Sequence, residues 1–160
     1  MQVNLEQIRA LHAHQFWDAA WPDADKARKR LADVRGAEGG DIVSKLGPLI
    51  LECGLLATVS LAKQKRGGHE ALLREIGRFL GSQGENERRL LPEKAENLDE
   101  FVRLLTQNDS ALLRLATAEA LLYAGYLKRF APPSTKQSRP APPLANPIPV
   151  EAHHAHQPRA

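Results

Sequence analysis

Residues 41–66, DIVSKLGPLILECGLLATVSLAKQKR, decide how this chain folds. Between positions 46 and 62 the apolar residues occupy two faces at helical spacing. Leu46, Leu49, Ile50, Cys53 and Ala57 make one, and Leu51, Leu55, Val59 and Ala62 make the other. A helix that is apolar around most of its circumference is a central one, covered by neighbours on several sides. A membrane span needs ~20 predominantly apolar residues. This run is shorter, and Gly47, Pro48, Glu52, Gly54, Thr58 and Ser60 interrupt it. Pro48 predicts a kink or restart near Gly47. Cys53 reads as a small buried hydrophobe, and a lone cysteine has no disulfide partner within the chain. The run stops at Lys63, Gln64, Lys65 and Arg66, ahead of the helix-breaking pair Gly67-Gly68. The helix therefore ends in a basic knot at the negative pole of its dipole.

On either side of this stretch the pattern stays helical. Leu and Ala dominate, aromatics make up only 5% of the chain, and no run alternates as a strand would. Upstream, Asn4 with Gln7 forms a capping box that opens a first helix, with Leu5, Ile8, Leu11, Phe16 and Ala19 or Ala20 on its buried side. His12 falls on the packed side and His14 on the wet one. Phe16, Trp17 and Trp21 serve packing rather than base stacking. The segment DKARKRLADVRG follows, with Lys26, Lys29 and Arg30 close together on a helix. Downstream, Leu72, Ile76, Phe79 and Leu80 form one apolar stripe, and Leu98, Phe101, Val102 and Leu105 form another behind an Asn97–Glu100 capping box. Asp109 caps a last helix whose alanines permit close approach to a neighbour. The expected fold is all-α: a single compact bundle of about five to six helices over residues 1–131.

Residues 132–160 differ in character. Eight of these 29 residues are proline, and large apolar residues are scarce. Such a composition predicts a disordered, partly polyproline tail.

The chemistry on offer is sparse. His153, His154 and His156 have no cysteine nearby and no fixed geometry for a metal, so neither a metal nor a cofactor is expected. Glu52, a carboxylate among leucines, has no catalytic companion, and the chain reads as a protein without enzymatic activity. The N-terminus has no apolar signal region, which places the protein in the cytoplasm with no membrane partner. A net charge of +3 and a pI near 9.2 permit a polyanionic partner without requiring one. The basic residues gather at helix ends: Lys63, Lys65 and Arg66 after the central run, Lys128 and Arg129 after the last helix. With Lys26, Lys29 and Arg30 they are the candidates for RNA contact. Their plain structural role is to complement helix dipoles.

Two stretches carry a family resemblance. TAEALLYAGYLKRFA, at 117–131, resembles the closing motif of the small helical subunit of type III-B CRISPR effector complexes, the Cmr complexes. LGPLILECGLLATVSLAKQK, at 46–65, resembles that family's other marker, a proline followed by an apolar helix around a Gly-Leu pair. The similarity covers roughly residues 3–131. It implies an all-helical, non-catalytic subunit whose copies stack as an inner filament beside the crRNA-bearing backbone and line a groove for target RNA. The implied partners are the other Cmr subunits, further copies of the chain, and crRNA with its target. The tail departs from the family pattern, so the resemblance gives it no role. The competing expectation is a generic helical adaptor that binds other proteins and whose basic residues serve only solubility.

Overall fold

The apolar run folds as two helices joined at Gly54. The structure, a computed structural model, describes residues 4–19, 42–81 and 90–131. These form α1 (Leu5–Ala19), α2 (Ile42–Cys53), α3 (Leu55–Lys65), α4 (Gly67–Leu80), α5 (Leu98–Thr106) and α6 (Ser110–Phe130), and the described residues contain no strand. The fold is all-α, as expected. The anticipated 26–35 segment and the proline-rich tail lie outside the described residues.

Gly54 takes φ 82° and ψ 161°, a conformation essentially confined to glycine. Thr58 bridges the bend. Its buried hydroxyl donates to the Gly54 carbonyl at 2.8 Å and lies 3.4 Å from that of Leu49, offering a donor to carbonyls that the end of α2 leaves open. The helix does not restart near Gly47: α2 runs on through Pro48, which sits exposed within it. One lost hydrogen bond is outweighed there by burial of Val43, Leu46 and Ile50 on a single face. The bend also overturns the two-faced reading. Leu51 is 73% exposed, and Glu52, Cys53 and Ala57 face solvent, so the second apolar face exists only in α3, through Leu55, Val59 and Ala62. Gly54→Ala tests this geometry. A Cβ there meets open space, so the penalty is conformational, about 1–3 kcal/mol. It should appear as a lower urea midpoint at unchanged slope; an unchanged midpoint means that α2 and α3 do not bend here.

α6 is in contact with all five other helices. Asp109 caps it by accepting the Leu112 N–H at 2.8 Å. Ala116, Ala120, Tyr123, Ala124 and Leu127 are its buried side, where the small alanines let neighbouring backbones come close. α1 lies alongside α6 in parallel. Arg9 meets Glu119, and eight residues later Trp17 meets Leu127, its indole N–H donating to the Leu127 carbonyl at 3.0 Å. These two anchors set the rotation of α1, which buries Ile8, Arg9, Ala13 and Trp17. Leu5 and Leu11, expected inside, are each 55% exposed. The Asn4 box forms as read: the Asn4 N–H donates to Gln7 Oε1, and Asn4 Oδ1 accepts the Glu6 N–H, both at 3.2 Å.

On the other side, α4 buries its predicted stripe of Leu72, Ile76, Phe79 and Leu80 together with Leu73 and Gly77. The 90–97 segment lies tightly over the end of α4. The Leu80 carbonyl accepts the N–H groups of Leu90 and Leu91 at 3.2 and 3.1 Å. A Cβ on Gly81 would stand 2.2 Å from the Glu93 carbonyl oxygen, so only glycine fits there. Asn97 caps α5 by accepting the Glu100 N–H at 2.9 Å, and Glu100 reaches back to the Glu96 N–H at 2.9 Å.

Candidate nucleic-acid interface

The basic knot at the end of α3 is a tight corner between helices. Lys63 and Lys65 lie in the last turn of α3, and α4 begins at Gly67, one residue beyond the connecting Arg66. Gly67 and Gly68, expected to separate helices, are the first two residues of α4. Arg66 has φ 54° and ψ −159°, a region that a side chain rarely adopts, while its N–H donates to the Ala62 carbonyl at 2.8 Å. The corner exposes Lys63, Lys65 and Arg66. Lys63 forms an ion pair with Asp99 in the first turn of α5, which cancels part of its field. Burial, and then the charge of Lys65, hold the His69 imidazole below its ordinary pKa, so the histidine's neutral form is favoured beside these cations.

Lys128 and Arg129 occupy the exposed last turn of α6. The Arg129 guanidinium lies 5.3 Å from the Tyr126 ring centroid, a cation–π arrangement that holds the head group near the surface. Beside it, the Phe130 ring meets that of His14 edge-on at 6.1 Å. The two predicted basic groups thus have different neighbours: α4 and α5 around the first, α1 around the second. No ion pair or hydrogen bond among the described residues joins them. Lys26, Lys29 and Arg30 lie outside the described residues, as do the histidines of the tail.

The sequence pattern gave no sign of a polar cluster under α6. The buried Tyr123 donates its O–H to Glu75 Oε1 at 2.9 Å and stacks on Phe79 with centroids 3.8 Å apart, and the His12 ring meets Phe79 edge-on at 5.2 Å. Burial raises the Glu75 carboxyl above its usual 4.5, opposed by the Tyr123 hydrogen bond and by Arg78, His12 and Arg74. Burial and the adjacent carboxylate push the Tyr123 phenol upward. A carboxyl with a raised folded-state pKa favours the fold in its protonated form. That contribution is complete below the unfolded value near 4.5 and is lost as pH rises through the folded one. Glu75→Gln retains an acceptor for Tyr123 and removes the charge. Its stability relative to wild type should therefore increase between about pH 4 and pH 7, read from urea midpoints at the two values. The same difference at both would show that Glu75 does not titrate against a buried environment.

Among the described residues no group of three or more His, Cys, Asp and Glu could hold a metal ion, and no helix is long and apolar enough to cross a membrane. Fold and surface together define a class: a small all-helical protein with exposed basic residues at the ends of α3 and α6. A family model places it more narrowly. Residues 13–133 match the CRISPR-associated protein (Cas_Cmr5) family, and the chain belongs to that family, the small subunit of type III-B complexes. The match takes in the C-terminal part of α1, from residue 13, and all of α2 to α6, and stops two residues after Ala131. Neither a curated protein nor a solved structure matches the chain.

Proposed function

We propose that this protein is a non-catalytic small subunit of a cytoplasmic antiviral ribonucleoprotein, stacking with copies of itself as an inner filament and holding target RNA along the crRNA-bearing backbone. The observation that carries this reading is the family match, which spans nearly the whole helical unit. The helical unit of residues 1–131 does this work, and residues 132–160 are an addition to it. The exposed Lys65, Arg66, Lys128 and Arg129, with Lys63 in part committed to Asp99, supply the positive lining. Such contacts are made to phosphate and carry no sequence information; specificity comes from base pairing with the guide. A single subunit meets few phosphates and binds weakly, and repetition along a filament multiplies the effect.

Co-expression with the other Cmr subunits and a crRNA tests the assignment. The protein should copurify with the particle in several copies per crRNA. If it runs as a free monomer while the remaining subunits assemble with their crRNA, the assignment fails.

A further inference from the structure

Behind the bend at Gly54 an open apolar groove of about 470 Å³ separates the α2–α3 corner from the N-terminal half of α6. Leu56, Leu113 and Leu121 line it, with Gly54 and the exposed Cys53 on one side and the exposed Arg114 on the other. Neither the RNA-contact residues nor the polar cluster at Tyr123 uses it. We infer that this groove is the docking site of the chain's own proline-rich tail, through residues 144–150, LANPIPV.

Three observations select this occupant. The first is composition. Within residues 132–160 the large aliphatic side chains are Leu144, Ile148 and Val150, all in this one stretch. In a polyproline conformation, with three residues per turn, Leu144, Pro147 and Val150 share one side. The second is reach. The tail leaves from the C-terminal end of α6, and the groove lies back along that helix, ~14 Å away at Leu121 and ~26 Å at Leu113 at 1.5 Å per residue. The dozen residues before Leu144 span up to ~37 Å in polyproline form, enough to turn back and arrive at the Leu121 end first. The third is charge. A tail running back along α6 with Pro147 at Leu121 carries Val150 ~9 Å further, toward Leu113, at ~3.1 Å per residue. Glu151, the single acidic residue of the tail, then arrives next to Arg114, which has no ion-pair partner among the described residues.

Cys53, the one cysteine of the chain, lines the groove and reports on it. The rate of its reaction with a thiol-specific reagent is measured on the full chain and on a full-length variant carrying Leu144→Ser, Ile148→Ser and Val150→Ser. Docking predicts that the variant reacts at least about threefold faster, as follows if the tethered tail fills the groove two-thirds of the time. Because the tail is tethered, the protection in wild type should not change on dilution. Glu151→Lys should also speed the reaction, and Arg114→Glu combined with Glu151→Lys should slow it again. Equal rates for wild type and the serine variant overturn the inference, and so does protection that disappears on dilution, which would assign the groove to a second copy. Neither outcome touches the family assignment or the RNA surface, which rest on other residues.

Discussion

Tyr123→Ala is expected to destabilise the bundle by about 3–5 kcal/mol, the range for deleting a large buried ring. Tyr123 is fully buried in α6, which touches every other helix, and its ring lies flat on Phe79. Truncation removes that packing and also leaves the carboxyl of Glu75 without the hydroxyl that donates to it. Tyr123→Phe separates the two effects: it keeps the ring, loses the hydrogen bond, and should cost about 1–3 kcal/mol. Urea unfolding of both variants reads the difference. If the alanine variant loses less stability than the phenylalanine variant, α6 is not the axis of the core.

The second large effect belongs to the pair that fixes α1. Arg9 Nε and Nη2 donate to the two carboxylate oxygens of Glu119 at 2.6 and 2.8 Å, and the side chains are 10% and 19% exposed. The hydrogen bond to Glu119 holds the Arg9 guanidinium above its usual pKa, against the opposing effect of burial. Removing one member leaves the other charged in a poorly hydrated place. Arg9→Ala or Glu119→Ala should therefore each cost about 3–5 kcal/mol. The double change Arg9→Met with Glu119→Leu, which keeps volume and removes both charges, should cost less than either single change. A double-mutant cycle over Arg9→Ala and Glu119→Ala measures the coupling. Additive single effects would mean that α1 is held by its apolar face and Trp17 alone.

The sequence made the helical class legible because capping residues and apolar stripes are local. The boxes at Asn4 and Asn97, the cap at Asp109, the stripe of α4 and the alanines of α6 depend only on residues a turn or two apart. Other features were hidden because they depend on distant partners or on backbone torsions. Arg9 and Glu119 stand 110 positions apart, and nothing near either announces the other. Their pairing, with the Trp17 anchor, turns Leu5 and Leu11 outward against the periodicity. Gly54 and Pro48 competed as the site of a break. The proline has the stronger reputation, but a glycine able to take φ 82° reshapes the chain more than one missing N–H. That single torsion exposes Cys53 and Leu51, which periodicity had placed inside. Within the basic sets, exposure of the helix-end lysines was legible, while the partial neutralisation of Lys63 by Asp99 was not, since it needs α5 to come beside α3.

The closing stretch 117–131 has a physical explanation for each of its marks. The Thr117 hydroxyl donates to the Leu113 carbonyl at 2.7 Å, Glu119 anchors Arg9, and Ala120 and Ala124 admit neighbouring helices. Tyr123 and Leu127 fill the core, while Lys128 and Arg129 turn to solvent. Most of the motif thus serves the fold, and its basic end remains available to a polyanion.

Whether these basic helix ends follow an RNA backbone is decided by one titration. Particles assembled with wild-type protein, and with a variant carrying alanine at Lys63, Lys65, Arg66, Lys128 and Arg129, are titrated with target RNA across a salt series. Removing a cation that neutralises one phosphate should reduce the slope of log affinity against log salt by about 0.7 for a single strand. The variant should bind more weakly and with a flatter slope, alike for several guide–target pairs, and Lys63 should contribute least because Asp99 already holds it. Normal assembly with unchanged affinity and unchanged slope would contradict an RNA-lining role and would reduce these five residues to solvated helix ends.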